Sequence, residues 1–128
     1  MITTGSAIIL KEKKIFLQKR SKYTKVFPLY WTVPGGRSED GEKPEETVVR
    51  EVKEETHLDF IPTKMYYRST WEDRDCFRFL GTFSGEVKID TVEVLEHGWF
   101  SYEGAMKLKL AFDYKDIIEK LFEDGLIE

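Results

Sequence analysis

Residues 50–58, REVKEETHL, set Glu51, Glu54 and Glu55 within little more than one helical turn. On a helix, neighbours at i+3 and i+4 stand one turn above residue i, so the three carboxylates share a face. Like charges at that spacing repel and destabilise a helix, and Arg50 and Lys53 offset the repulsion only in part. Grouped carboxylates are also the ligand type that Mg²⁺ and Mn²⁺ prefer. A bound cation would relieve the repulsion; without one, the cluster would raise its own pKa values or push itself apart. The plainer reading is a solvated acidic helix face, and the triplet alone favours it.

The elements that would position this cluster follow from patterning. Pro44 suits a first helical turn, and Glu45 and Glu46 complement a helix N-terminus. Val48, Val49 and Val52 then form an apolar stripe at helical spacing, so a helix is expected from Pro44 to Thr56. Upstream, residues 2–10 and 14–20 (KIFLQKR) read as two strands joined by a tight polar connection. Residues 21–36 read as an aromatic-rich loop ending in a double glycine, and 37–42 as a polar turn. Downstream, 60–72 and 76–85 look like strands around the turn EDRD, and 93–101 holds a short strand. Ser101 is a plausible N-cap for one or two helical turns. A last helix spans 113–123, with Ile117, Ile118, Leu121 and Phe122 at helical spacing and Gly125 as its stop. This order describes one mixed α/β domain over 1–128.

Spacing beyond the triplet changes the odds. Gly36, five residues, Glu42, seven residues, then Arg50-Glu51-Val52-x-Glu54-Glu55-x-x-Leu58 matches the Nudix box nearly position for position. The chain thus resembles the Nudix hydrolases, the MutT-like pyrophosphohydrolases. FLQKR before the box, WTVPGG leading into it and EVLEHGWFS downstream resemble the family's flanking segments. The resemblance implies an α/β/α sandwich around a mixed β-sheet. It also implies Mg²⁺-dependent hydrolysis (Mn²⁺ as substitute) of a nucleoside diphosphate linked to another group. One position departs: the family usually has glycine where this chain has His57. Glycine is favoured just past a helix end because that residue often adopts φ > 0, which His tolerates at a cost of about 1 kcal/mol. His57 is read as a modest stability cost that leaves the carboxylates intact.

Roles follow residue by residue from the matching positions. Glu51, Glu54 and Glu55 are the expected metal ligands, with a backbone carbonyl of Gly35 or Gly36 completing the shell. Arg50 pairs with a box glutamate and orients it, and Glu42 is structural near the helix start. A general base helps water attack phosphorus. The resemblance leaves it at Glu54 or Glu55 first, with Glu96 and then Glu93 as downstream candidates. Arg20, at the end of a strand, and Arg37, after the double glycine, are candidate phosphate contacts. The loop 23–31, Trp71 and Phe112 are candidate platforms for a nucleobase, although buried aromatics are more often core. Trp31 and Trp99 read as structural. Family markers for ADP-ribose, dinucleoside polyphosphates and coenzyme A are not evident. That leaves a (deoxy)nucleoside triphosphate, oxidised or non-standard, cleaved to monophosphate and pyrophosphate. Alternatives are a non-catalytic nucleotide sensor, a hydrolase of another diphosphate, or a charged helix with no site.

Composition sets the outer bounds. Twenty-four acidic against 20 basic residues give a net charge of −4, with no basic stripe of the kind that coats nucleic acid. A small nucleotide is therefore the expected partner, for a monomer or homodimer, with no nucleic-acid polymer and no membrane. No basic segment leading into an apolar stretch opens the chain, and no apolar run is long enough to span a bilayer. The lone Cys76 suits a reducing compartment, so a cytoplasmic location is expected.

Overall fold

A computed structural model describes residues 1–128. In chain order the elements are β1 (Ile2–Ile8), β2 (Leu10–Lys11), β3 (Lys14–Arg20), β4 (Trp31–Thr32) and β5 (Gly35–Arg37). They continue with α1 (Pro44–Thr56), β6 (Asp59–Trp71), β7 (Arg74–Ser84), β8 (Val94–Phe100), α2 (Tyr102–Met106) and α3 (Tyr114–Glu123). Two compact units divide them: Met1–Ile9 with Pro34–Asp90, and Leu10–Val33 with Thr91–Glu128.

The first unit holds a mixed sheet in the order β5-β1-β7-β6. β1 runs parallel to β7 and antiparallel to β5, while β6 and β7 form a long antiparallel hairpin. α1 packs on this sheet, with Thr47, Val48, Val52 and Thr56 buried. Gly5 on β1 makes that packing possible: a Cβ there would lie 2.6 Å from the Pro44 carbonyl oxygen and 3.2 Å from Thr47 Cβ. Val49 departs from the expected stripe and is 41% exposed. Its position is about 100° around the helix from Val48, and Thr47 and Thr56 fill the inward face instead.

β6 is one edge of this sheet, opposite β5. Register shifts at Thr63 and Tyr66 and a proline at 62 interrupt its regular ladder, devices that blunt an exposed edge. β6 and β7 begin and end within two residues of the strands read from the sequence.

The second unit contains β2 and β4 on β3, and β8 antiparallel to β3. Ile15, Phe16 and Leu17 are fully buried, as are Ile117, Ile118 and Leu121 of α3. The expected strand 2–10 is in fact two: β1 stops at Ile8, and Leu10 and Lys11 pair with Ile15 and Lys14 in the other sheet. The continuous apolar run hides this break: Ala7, Ile8 and Ile9 are all fully buried, so no polar residue marks where β1 ends. Residues 31–32 and 35–37, read as loop and turn, form β4 and β5. Strands of two or three residues are too short to show alternation. The Ser101 hydroxyl accepts from the Gly104 N–H and caps α2. No helix is long and apolar enough to cross a membrane.

Candidate active site

α1 starts as its sequence suggests. Pro44 occupies the first turn, and the Glu46 carboxylate accepts from the Lys43 backbone N–H at 2.9 Å. The helix ends at His57, whose φ of 65° and ψ of 7° are left-handed, with its N–H donated to the Lys53 carbonyl. Its side chain turns to Asp90, Nε2 to Oδ2 at 3.0 Å. His57 is thus the helix stop, and its ring engages a downstream loop carboxylate.

Arg50 organises the acidic face. Its Nε donates to Glu42 Oε2 at 2.8 Å and its Nη2 to Glu42 Oε1 at 2.9 Å, a two-point clamp. Nη2 also donates to the Arg37 carbonyl at 3.1 Å. Nη1 reaches Glu51 Oε1 at 2.9 Å and Glu54 Oε2 at 3.3 Å, and lies 3.7 Å from Glu39 Oε1. The clamp, chiefly the hydrogen bonds from Arg50, holds the Glu42 carboxyl down at about 2 from its ordinary 4.5. The same bonds push the Arg50 guanidinium further up, so it stays charged at any working pH. Thr47 Oγ1 adds a hydrogen bond to Glu42 at 2.8 Å.

Glu55 behaves differently from its two neighbours. Its Oε2 accepts from the Gly35 backbone N–H at 3.2 Å, tying the helix to β5. At Gly36, a Cβ would stand 2.6–2.8 Å from the carboxyl atoms of Glu51. Only a residue without a side chain lets the Glu51 carboxylate lie against this strand. Glu51 and Glu55 therefore meet the β5 backbone, while Glu54, on the same helix face, meets Arg50 and solvent. No group of three or more His, Cys, Asp or Glu side chains is arranged as a ready metal cage. Glu51 and Glu54 lean on Arg50, and Glu55 leans on Gly35. The donor set nevertheless fits a hard divalent cation: carboxylate oxygens at a glycine-lined strand.

The remaining candidates fall into two groups. Arg37 belongs with the acidic helix by its carbonyl, and its side chain is exposed. In the second unit, Arg20 Nε donates to the Val26 carbonyl at 2.9 Å, and its guanidinium lies 5.8 Å from the Phe112 ring centre. Phe112 packs on Phe27 at 4.8 Å, and Phe27 on Tyr30 at 5.2 Å. Phe27 and Phe112 both sit at positive φ, 50° and 51°. A bulky residue there costs about 1–2 kcal/mol, and such strain gathers at functional sites. Phe27 had no separate mark in the sequence; left-handed backbone at an aromatic residue leaves no pattern to read.

Glu96 stands opposite Lys19 in the β3–β8 ladder, with Nζ to Oε2 at 3.3 Å. Glu93 accepts from the Ser21 N–H through its carbonyl. Trp31 is buried and packs edge-on against Phe100, and Trp99 packs edge-on against Phe16, both structural placements.

Comparison with known proteins identifies the class. A family model described as the NUDIX domain matches residues 2–121. The chain belongs to the NUDIX family of hydrolases. Among curated relatives, the ADP-ribose pyrophosphatase of Methanocaldococcus jannaschii is 36% identical over 121 residues, covering 88% of this chain and 68% of that protein. A Bacillus subtilis (strain 168) protein provisionally named an 8-oxo-dGTP diphosphatase is 33% identical over 106 residues, covering 79% and 68%. Other relatives are much longer, and the chain spans 25% of one that it matches over 73 residues. The crystal structure of MutT protein from Methanosarcina mazei Go1 shares the fold, with a TM-score of 0.79 at 24% identity over 97% of this chain and 94% of that one.

Proposed function

We propose that residues 1–128 act as one domain that hydrolyses a phosphoanhydride bond of a nucleotide with the help of Mg²⁺ or Mn²⁺. The preferred substrate is a (deoxy)nucleoside triphosphate, cleaved to monophosphate and pyrophosphate. The observation that supports this reading is the placement of Glu51 and Glu55 against the Gly35–Gly36 backbone, with Glu54 on the same helix face and linked to Glu51 through Arg50. These carboxylates would hold the cation, and Gly36 keeps the approach to Glu51 open. A divalent cation at such a site neutralises phosphate oxygens and lowers the pKa of attacking water.

The chain's own groups supply the rest. Water adds to phosphorus as the bridging P–O bond breaks, and a carboxylate accepts the proton. Glu54 is best placed for that task, because its side chain is 58% exposed and open to solvent. Glu55 comes second, and Glu96, engaged by Lys19, after it. Arg20 offers charge to a phosphate, and the Phe27–Phe112 pair beside it offers a face for a nucleobase. Arg37 is a further phosphate contact. A cytoplasmic location is part of the same proposal, because a lone cysteine suits a reducing compartment.

A second reading, hydrolysis of ADP-ribose, is favoured by the Methanocaldococcus relative, which aligns over 88% of the chain. The test is a panel of (d)NTPs, 8-oxo-dGTP, ADP-ribose and dinucleoside polyphosphates with Mg²⁺ or Mn²⁺, following monophosphate, phosphate and pyrophosphate. Pyrophosphate from a triphosphate supports the first reading, and turnover of ADP-ribose alone supports the second. Silence across the panel, with thermal stability indifferent to metal, would sink both.

A further inference from the structure

A guanidinium carries five N–H donors in a rigid planar fork, so one arginine can hold several partners at once. Arg50 divides its fork unequally. Nε and Nη2 grip Glu42 at 2.8 and 2.9 Å, and the Glu42 side chain is only 14% exposed. Nη1 serves Glu51 at 2.9 Å, itself 18% exposed. The contact to Glu54 is the loosest: 3.3 and 3.4 Å to its two oxygens, on a side chain 58% exposed. Exposed i,i+4 ion pairs of this kind are weak and easily exchanged, whereas the less exposed two-point clamp is not.

A hard cation needs the same carboxylate lone pairs that Nη1 now occupies. We propose that Arg50 is an internal counter-ion whose Nη1 yields Glu54 when a divalent cation binds, while Nε and Nη2 keep Glu42 and the helix in place. The inference rests on the metal-dependent reading above. It accounts for how an acidic face stays folded without a cation and still gives up a ligand to one. Arg50 is then a positioning residue with one fixed side and one exchangeable side.

The test follows the guanidinium N–H signals of Arg50 by NMR in ¹⁵N-labelled wild-type chain, with MgCl₂ added at constant ionic strength. The expected result is a shift or broadening of the Nη1 signals as the backbone amides of residues 51–55 respond, with the Nε–H signal unmoved. Amides that respond while Nη1 stays still would overturn the inference and leave the metal reading standing. So would Nε and Nη1 moving together. If no amide of α1 responds to Mg²⁺, nor broadens with Mn²⁺, the metal reading falls and the inference with it. In the metal-free chain, Glu54→Gln should bring the Nη1 signals towards their Mg²⁺-loaded position. No movement there would overturn Glu54 as the exchanged partner.

Discussion

Arg50 and Arg68 each meet a carboxylate through two nitrogens, yet the two regions differ in what surrounds the pair. On the β6–β7 hairpin, Arg68 Nε and Nη2 bond the two oxygens of Asp75 at 3.1 and 2.9 Å. The guanidinium also lies 4.5 Å from the Phe77 ring centre. One positive charge meets one negative charge, and hydrogen bonding by Arg68 lowers the Asp75 pKa. On the acidic face, one guanidinium serves Glu42, Glu51 and Glu54, with Glu39 nearby. The hairpin pair is balanced and closed. The box cluster carries surplus negative charge, with Glu51 and Glu55 set against the Gly35–Gly36 backbone, which is what a site needs if it takes up a cation.

Loss of a carboxylate at each place gives the largest contrast. Glu54→Gln should slow hydrolysis of the substrate found in the panel by about 10²–10³-fold, the scale of losing a positioned proton acceptor. Asp75→Asn should leave the rate within about twofold. Steady-state assays on both decide it, and equal losses would erase the distinction between site and scaffold.

Removing the arginines separates network from pair. Arg50→Met leaves Glu42, Glu51 and Glu54 facing one another, so thermal melting should drop by on the order of 5 °C or more. Arg68→Met should shift it by about 1 °C, since exposed pairs contribute little. Circular dichroism melts at pH 7 compare the two, and a larger drop for Arg68→Met would reverse the ranking.

Acid should expose the Glu42 clamp. The folded pKa of Glu42 is lowered to about 2 from 4.5, so its contribution is fully present above the unfolded value. That contribution is lost as pH falls from 4.5 towards 2. Urea unfolding across this window should show stability falling with acid, and Glu42→Gln should flatten that part of the curve. An unchanged slope would mean the clamp does not couple to folding.

The smallest effect is expected at His57. Glycine there relieves about 1 kcal/mol of left-handed strain. It also removes the contact to Asp90 and raises the entropy of the unfolded chain. The net change should lie within about 0.5 kcal/mol, with activity retained. A melt and a rate on His57→Gly check both, and a collapse in rate would assign the ring a part in the chemistry.

Much of this could be read beforehand, for identifiable reasons. α1 runs from Pro44 to Thr56 because its start residue, its periodicity and its stop all point the same way. β6 and β7 were legible from their long β-rich runs around a polar turn. The mixed sheet followed from family likeness, and short elements such as β4 and β5 did not show at all. Arg78 gave no warning either. In CFRFLG it resembles the solvent-facing charge of an alternating strand, yet it is 2% exposed and donates to Ser69 Oγ.

By itself, then, the sequence determined which carboxylates share a face, because 51, 54 and 55 lie one turn apart whatever the helix packs against. It also determined where that helix ends. Tertiary structure decided what those carboxylates meet. Sheet order places β5 under α1, so Glu55 reaches the Gly35 N–H and Glu51 fits only where Gly36 has no side chain. The loop before the helix brings Glu42 to Arg50 across eight residues. Those partners depend on strand register and loop path, which no local spacing encodes.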